Sequence, residues 1–409
     1  LDVVQLEQAL LQTVKKHPVL RSAISVTNNE PYQEVKAINN VCLNRIDIST
    51  SAKQDDLEAV LTQESAYEFD LSDALKIRAT LVKHATNNHT LILCLHHIAS
   101  DGWSLNILLK DIQSFYNKDP LVTNDGISYI TFAQKTQETL QATEASLKYW
   151  TNQLSSTPTT HDIPLDFPRS STTQPKAASA VSAIDPLLWK NLQKFAQSHK
   201  ISTFSLLQSA FAVFLHKIMQ ADEVVFGTPF ANRETREVQN TVGYFVNPIV
   251  LRHAVSPELS FESVLEAHNN TLHNAYAHAQ LPFNKIVEQL KPERVMGMNP
   301  IFQILFALEP ARDNLISLNN LDAKTVPVVS TAKFDLNTTI FFQEDSAQIE
   351  MLYNQDIFRE STIAHYLTAF NTLLSRLIMD AQTPIEQLTW LTDAEQTKLA
   401  NFEKGVGLE

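Results

Sequence analysis

Leu91-Ile-Leu-Cys-Leu-His-His-Ile-Ala-Ser-Asp-Gly-Trp-Ser104 decides how this chain is read. Leu91 to Leu95 form an uninterrupted apolar run, the pattern of a strand buried on both faces. Two histidines, an Asp and a Gly stand where the run ends. Beyond them Trp103, Leu105, Leu108, Leu109, Ile112 and Phe115 recur at the spacing of one helix face, which predicts a helix over 103–117. Loops held by rigid elements carry functional groups, and a helix N-terminus offers N–H groups to a developing anion. If His96 and His97 continue the strand, their side chains point to opposite faces. They then cannot easily chelate one metal together, and no other His, Cys or Asp cluster completes a site, so no metal is expected. Asp101-Gly102 at the junction turns the reading toward a general base.

Working outward, 409 residues with 44% hydrophobic content suffice for a large core, and the length favours two lobes over one. A formal charge of -13, without a basic patch interleaved with aromatics, argues against nucleic acid. The two cysteines, Cys42 and Cys94, give neither a disulfide framework nor zinc spacing, and Cys94 reads as a small core residue. No run approaches a membrane span and no secretory-type leader opens the chain, so a reducing cytoplasm is the default. The opening Leu1-Asp2 runs straight into a helical pattern, and Gly405 to Glu409 form no obvious terminus. The chain therefore reads as cut from something longer.

Seven glycines leave no dinucleotide fingerprint and no phosphate-binding loop, and there is no Gly-x-Ser-x-Gly elbow. A catalytic His without a Ser or Cys nucleophile points to direct transfer between two bound substrates, the base activating the incoming nucleophile.

Residues 4–17 read as an amphipathic helix, followed by strands over 20–26, 32–35 and 41–48, a helix over 52–67, and a strand over 76–82. After the helix at 103–117 come a polar interval and a helix over 142–153. Between Leu154 and Pro175 the composition shifts to Ser, Thr and Pro, the best boundary in the sequence. The pattern then restarts: helices over 186–198, 203–219, 259–277 and 362–379 alternate with strands over 180–184, 224–227, 245–251, 302–308, 337–342 and 348–353. Both halves hold about the same inventory. The fold class expected is α/β with mixed sheets, in two similar lobes, 1–165 and 166–409.

At this point a resemblance enters. His96-His97-Ile98-Ala99-Ser100-Asp101-Gly102 resembles the His-His-x-x-x-Asp-Gly signature of condensation domains of nonribosomal peptide synthetases. Further segments match in the family's order: Lys16-His17-Pro18-Val19-Leu20-Arg21, Tyr149-Trp150, Pro164 to Arg169, Gly227 to Arg233, Val242 to Pro248, Gln280 to Phe283 and Asn299 to Gln303. Lys16 and Pro18 depart from the family's Arg and Glu, and the family's first motif, which would precede Leu1, is missing. The resemblance spans essentially the whole chain. Leu391-Thr-Asp-Ala-Glu395 resembles the run leading into an adenylation domain.

The resemblance implies two chloramphenicol-acetyltransferase-like lobes in a V-shaped pseudo-dimer with a central tunnel. It implies amide formation between a carrier-bound acyl or peptidyl thioester and the amine of a carrier-bound aminoacyl acceptor. Partners would be an upstream donor carrier, a downstream acceptor carrier and an adjacent adenylation domain. The domain would bind no cofactor of its own, since substrates arrive on phosphopantetheine arms. His97 would take a proton from the attacking amine or orient it, and the Gly102 N–H would face the developing oxyanion. Asp101 is read as structural; a buried carboxylate needs a partner, and Arg21, on the strand expected over 20–26, is the candidate. His96 packs or hydrogen-bonds behind His97. Trp103 either packs in the core or, with Ser104, walls the tunnel. Asn247 either reaches the tunnel or caps a strand end, and Arg233 and Arg252 are expected to be solvated or ion-paired rather than on a carrier phosphate. Alternatives are a starter condensation domain or stand-alone acyltransferase taking a fatty acyl or coenzyme A thioester, an epimerisation domain, and a non-catalytic docking module.

Overall fold

The computed structural model describes residues 1–49, 55–120, 126–139, 144–169, 175–295, 297–311, 316–326, 328 and 331–403. The helix starts expected at 52 and 142, part of the Pro-rich boundary and the last residues of the chain lie outside them.

The chain forms two compact units, Leu1–Ala142 with Ala231–Val246 and Arg312–Val328, and Thr143–Phe230 with Asn247–Ala311 and Val329–Glu409. The boundary expected at 165/166 is therefore corrected in two ways. The switch comes earlier, because α5 (Glu144–Gln153) buries Trp150 in the second core together with Leu154 and Ile163. Two later segments also return to the first unit. Local composition marks where the chain loosens; it carries no information about which core a distant segment joins.

In the first unit α1 (Val3–Lys16) starts at Asp2, whose carboxylate accepts from the Gln5 N–H, and ends on Lys15 and Lys16, cations suited to a helix C-terminus. Its buried residues Leu6, Ala9, Leu10, Thr13 and Val14 follow the helical period. A 3-10 turn, Pro18–Arg21, leads into the hairpin β1 (Ser22–Thr27) and β2 (Glu30–Val35). Then come β3 (Leu43–Asp47), α2 (Asp55–Ser65), β4 (Ile77–Ala85) and β5 (Asn88–Leu95). β3 and β4 are parallel, β4 and β5 antiparallel. α3 (Gly102–Asn117) buries Leu108, Ile112 and Tyr116, and α4 (Tyr129–Thr139) follows. Val242, from the returning segment, joins this core.

β5 corrects the opening expectation. It is the edge of a three-stranded sheet, and Leu91 to Leu95 are each half-buried rather than enclosed on both faces. The strand ends at Leu95, so His96 and His97 stand on a turn and strand alternation does not apply to them. Cys94 is half-buried, not core; its Sγ lies 3.5 Å from the Glu64 carbonyl.

The second unit continues from α5 with β6 (Ala177–Ile184), α6 (Pro186–Ser198), α7 (Thr203–Met219) and β7 (Glu223–Phe230). The chain passes through α8 (Arg236–Gln239) of the first unit before β8 (Asn247–Ala254), α9 (Phe261–Ala277) and α10 (Phe283–Leu290). It closes with β9 (Ile304–Pro310), β10 (Leu336–Phe342), β11 (Ala347–Asn354), α11 (Glu360–Met379) and α12 (Asp393–Glu403). Six strands form one mixed sheet in the order β6-β11-β10-β9-β7-β8, with β9 parallel to both β10 and β7. α7, capped by Ser202, is buried nearly all round, packing Phe211 and Phe214 against Phe226, Phe306 and Phe370. Among the described residues no single helix is long and apolar enough to cross a membrane. The second unit joins its six strands in one sheet, whereas the five described strands of the first divide between a three-stranded and a two-stranded sheet.

Candidate active site

The turn from His96 to Ser100 is held by its own hydrogen bonds. The Ala99 N–H donates to the His96 carbonyl at 3.0 Å, and the Ile98 N–H donates to His96 Nδ1 at 3.0 Å. His96, thus fixed as an acceptor at Nδ1, lies edge-on to Phe69 with ring centroids 5.9 Å apart. Burial, then the neighbouring His97 and Lys76, pull its pKa below the usual imidazole value. His97 is exposed, and its Nδ1 lies 3.2 Å from the Ser100 carbonyl. A carbonyl oxygen only accepts, so in the neutral ring this bond keeps the proton on Nδ1 and the lone pair on Nε2. That is the tautomer a base needs.

Asp101 caps α3, which begins at Gly102. Oδ1 accepts from the Ser104 N–H and from the Ser104 hydroxyl, both at 2.7 Å, and Oδ2 accepts from the Phe245 N–H at 3.1 Å. Arg233 Nη2 donates to both carboxylate oxygens, at 3.1 and 3.2 Å. Arg233 Nη1 donates to the carbonyls of Val238 and Thr241, and its guanidinium carbon lies 3.9 Å from the Phe245 ring centroid. Burial draws the Arg233 pKa below its ordinary value while Asp101 opposes the shift. Tyr129 donates its hydroxyl to the Tyr244 carbonyl at 2.8 Å, and burial, then Asp101, push its pKa up to about 12. Every member of this network belongs to the first unit.

Two expectations are corrected here, for Arg21 and Ser104, and two open readings, for Trp103 and Asn247, are narrowed. Arg21 is not the partner of Asp101: it sits on the 3-10 turn rather than on a strand, and donates to the carbonyls of Lys36 (2.8 Å) and Lys15 (3.4 Å). Ser104 lines no tunnel, because it is fully buried, with its hydroxyl between Asp101, Arg233 and Gly243. Trp103 is not core: it is 46% exposed and donates its indole N–H to the Gln239 carbonyl at 2.9 Å. Asn247 spends its whole amide on the second unit, donating to the carbonyls of Ala279 (2.7 Å) and Leu281 (2.8 Å) and accepting from the Phe283 N–H (3.0 Å). This leaves Asn247 the strand-end role, tying β8 to the start of α10.

Sequence reasoning missed Arg233 as the partner of Asp101 and missed Tyr129, and it held Tyr244 within the segment Val242 to Pro248 without giving it a role. A 132-residue separation hides the ion pair from any local pattern. Arg252, like Arg233, is ion-paired: Nη2 lies 2.7 Å from a Glu223 carboxylate oxygen. Among the described residues no group of three or more His, Cys, Asp and Glu side chains is arranged to hold a metal ion. A cavity of about 600 Å³ borders α10, a second of about 530 Å³ lies between Thr159 and the loop that follows α10, and none of the candidate site residues lines either.

Comparison with known proteins accords with this picture. The family model described as the condensation domain matches residues 1–400. Cyclosporin synthetase simA of Tolypocladium inflatum is 31% identical over 99% of this chain and 3% of its own length. Nonribosomal peptide synthetase kk1B of Curvularia clavata is 30% identical over 96% and 3%, and nonribosomal peptide synthetase dtxS1 of Metarhizium robertsii is 30% identical over 98% and 5%. The chain thus spans less than a tenth of the length of these three relatives. Among solved structures, the X-domain from teicoplanin biosynthesis has a TM-score of 0.85 at 22% identity, covering 96% of this chain and 90% of that one. The first condensation domain of the calcium-dependent antibiotic synthetase has a TM-score of 0.76 at 19% identity, covering 96% and 91%. At such identities the likeness concerns the fold, mixed sheets flanked by helices. The chain belongs to the condensation-domain family.

Proposed function

We propose that this member of the condensation-domain family joins a carrier-bound acyl or peptidyl thioester to the amine of a carrier-bound aminoacyl group. The observation that carries the reading is the His97 ring, exposed at the end of β5 and held by the Ser100 carbonyl with Nε2 as its acceptor nitrogen. The acceptor nitrogen attacks the thioester carbonyl carbon, a C–N bond forms, and the C–S bond breaks. His97 Nε2 orients the amine or takes its proton and returns a proton to the departing sulfur, so the products are an amide and a free thiol. The Gly102 N–H, at the first position of α3, faces the carbonyl oxygen as negative charge develops. Asp101, buried and paired with Arg233, shapes the turn without touching substrate.

On this reading the partners are an upstream donor carrier, a downstream acceptor carrier and an adjacent adenylation domain, in the cytoplasm. Both substrates arrive on phosphopantetheine arms, and the chain needs no cofactor of its own. The test uses the full-length protein with both carriers loaded, and mass spectrometry of the acceptor carrier. The acyl group should move to the acceptor amine, and His97→Ala should slow single turnover by roughly 10²–10⁴-fold. An unchanged rate in His97→Ala sinks the catalytic assignment. Transfer from a coenzyme A thioester but not from a carrier-bound donor sinks the carrier assignment.

A further inference from the structure

The backbone of Gly243-Tyr244-Phe245 is fastened at every residue. The Gly243 N–H donates to the Ser104 hydroxyl oxygen at 3.1 Å, and its carbonyl lies 2.8 Å from the same atom. The Tyr244 carbonyl accepts the Tyr129 hydroxyl at 2.8 Å, and the Phe245 N–H reaches the buried Asp101 carboxylate at 3.1 Å. A Cβ on Gly243 would stand 2.1 Å from the Tyr129 ring, so the closely packed ring itself requires a glycine there. Phe245 is buried beneath the Arg233 guanidinium.

Of the three residues, only Tyr244 directs a side chain outward. It is 43% exposed, and its ring centroid lies 6.2 Å from that of His97 with the planes inclined at 62°. A buried ion pair, a buried serine and a closely packed glycine therefore converge on one outcome, a large aromatic phenol fixed beside the candidate base. Burial and then the Asp101 charge raise the Tyr244 pKa above its ordinary value, which keeps the hydroxyl a donor at neutral pH. His97 Nε2 is an acceptor. Amide formation at a thioester needs an acceptor for the amine proton and donors for the carbonyl oxygen, on which charge accumulates.

Building on the function proposed above, we infer that Tyr244 is a substrate-contacting residue of the His97 site, its phenol donating a hydrogen bond to the carbonyl oxygen of the donor acyl group. Phe at this position keeps the ring and removes only the donor, so Tyr244→Phe is the decisive variant, with Tyr244→Leu and His97→Ala beside it. In the full-length protein with loaded carriers, Tyr244→Phe should lower the single-turnover rate at saturating donor by about 10-fold or more. Its melting temperature and apparent donor affinity should stay at wild-type values, which a purely structural role would not produce. Tyr244→Leu should be slowed at least as much.

If Tyr244→Phe turns over at the wild-type rate while His97→Ala is slowed, the Tyr244 assignment falls and the reaction stands. The Tyr244 assignment falls equally if Tyr244→Phe loses melting temperature and rate together. If neither Tyr244→Phe nor His97→Ala is slowed, the reading of the reaction falls with it.

Discussion

Arg233 and Asp101, 132 residues apart in the chain, form an ion pair in which the two side chains are 1% and 2% exposed. Two charges so deeply buried are tolerable only together. The Ser104 hydroxyl, the Phe245 N–H and the Val238 and Thr241 carbonyls satisfy most of what the pair leaves over. Breaking a buried pair from one side strands a charge in low dielectric, which costs more than the pair contributes when intact.

Arg233→Met should accordingly cost about 3–5 kcal/mol in urea unfolding. Converting Asp101 to Leu in the same protein should restore part of that stability but not transfer activity, because the Phe245 and Ser104 anchor is gone. A single variant within about 0.5 kcal/mol of wild type would show that the pair is not what holds the segment.

Two glycines of the site should respond oppositely to alanine. Nothing lies within 4 Å of a Cβ built on Gly102, so Gly102→Ala should leave the melting temperature unchanged or slightly higher. A methyl group there would face the space assigned to the donor carbonyl, and the transfer rate should fall. Gly243→Ala collides with the Tyr129 ring and should cost roughly 1–3 kcal/mol. Equal stability of the two variants would contradict the packing.

Asn247→Ala removes two donors and one acceptor that join β8 to α10. At a net value of about 1 kcal/mol per hydrogen bond, the loss should be on the order of 3 kcal/mol. The preference among donor substrates should not change. A shift in donor preference at undiminished stability would mean that Asn247 contacts substrate rather than joining β8 to α10.

His253 and His268 pack together within the second unit, their rings tilted by 34° with centroids 4.1 Å apart. The His253 Nε2 lies 2.7 Å from the Gln208 amide oxygen and the His268 Nε2 lies 3.0 Å from the Ala254 carbonyl. Both Nδ1 atoms are buried without a partner. Burial, then the neighbouring His268, holds His253 well below the usual imidazole value, and burial pushes His268 down to about 4. The unfolded chain therefore binds protons that the folded one refuses, so stability is fully present above pH 6.5 and falls toward pH 4. At about 1.4 kcal/mol per pH unit, His268 alone accounts for a loss of roughly 3 kcal/mol over that range. His268→Gln, which can still donate to the Ala254 carbonyl, should flatten the dependence of unfolding free energy on pH. Identical slopes for the two proteins would rule the pair out as its source.

The sequence is legible wherever local pattern and packing agree. α1, α6, α7 and α11 fall within two residues of their expected spans, because each carries an apolar stripe and most carry a cap. α10 escapes the sequence reading although Phe283, Ile286, Val287 and Leu290 keep the helical period; Pro282 and the short length disguise it. α4 falls in the interval expected to be merely polar, its sequence Tyr-Ile-Thr-Phe-Ala-Gln-Lys-Thr-Gln-Glu-Thr lacking a sustained apolar face. The apolar run of β5 misleads in the other direction, since five apolar residues in a row report hydrophobicity and not the number of neighbouring strands.

By itself the sequence determined most of the elements, the family motif and the histidine on which the chemistry is proposed to rest. These are properties of neighbouring residues: helical spacing, apolar runs, and a signature whose histidines, Asp and Gly lie within seven consecutive positions. Only the tertiary structure decided what surrounds them. Arg233 rather than Arg21 meets Asp101, Ser104 points inward, and Tyr244 stands beside His97, because residues 231–246 return to the first unit after the chain has passed through Thr143–Phe230 of the second. A buried carboxylate announces from sequence that it needs a partner. Which cation arrives depends on how distant segments pack, and no local pattern encodes that.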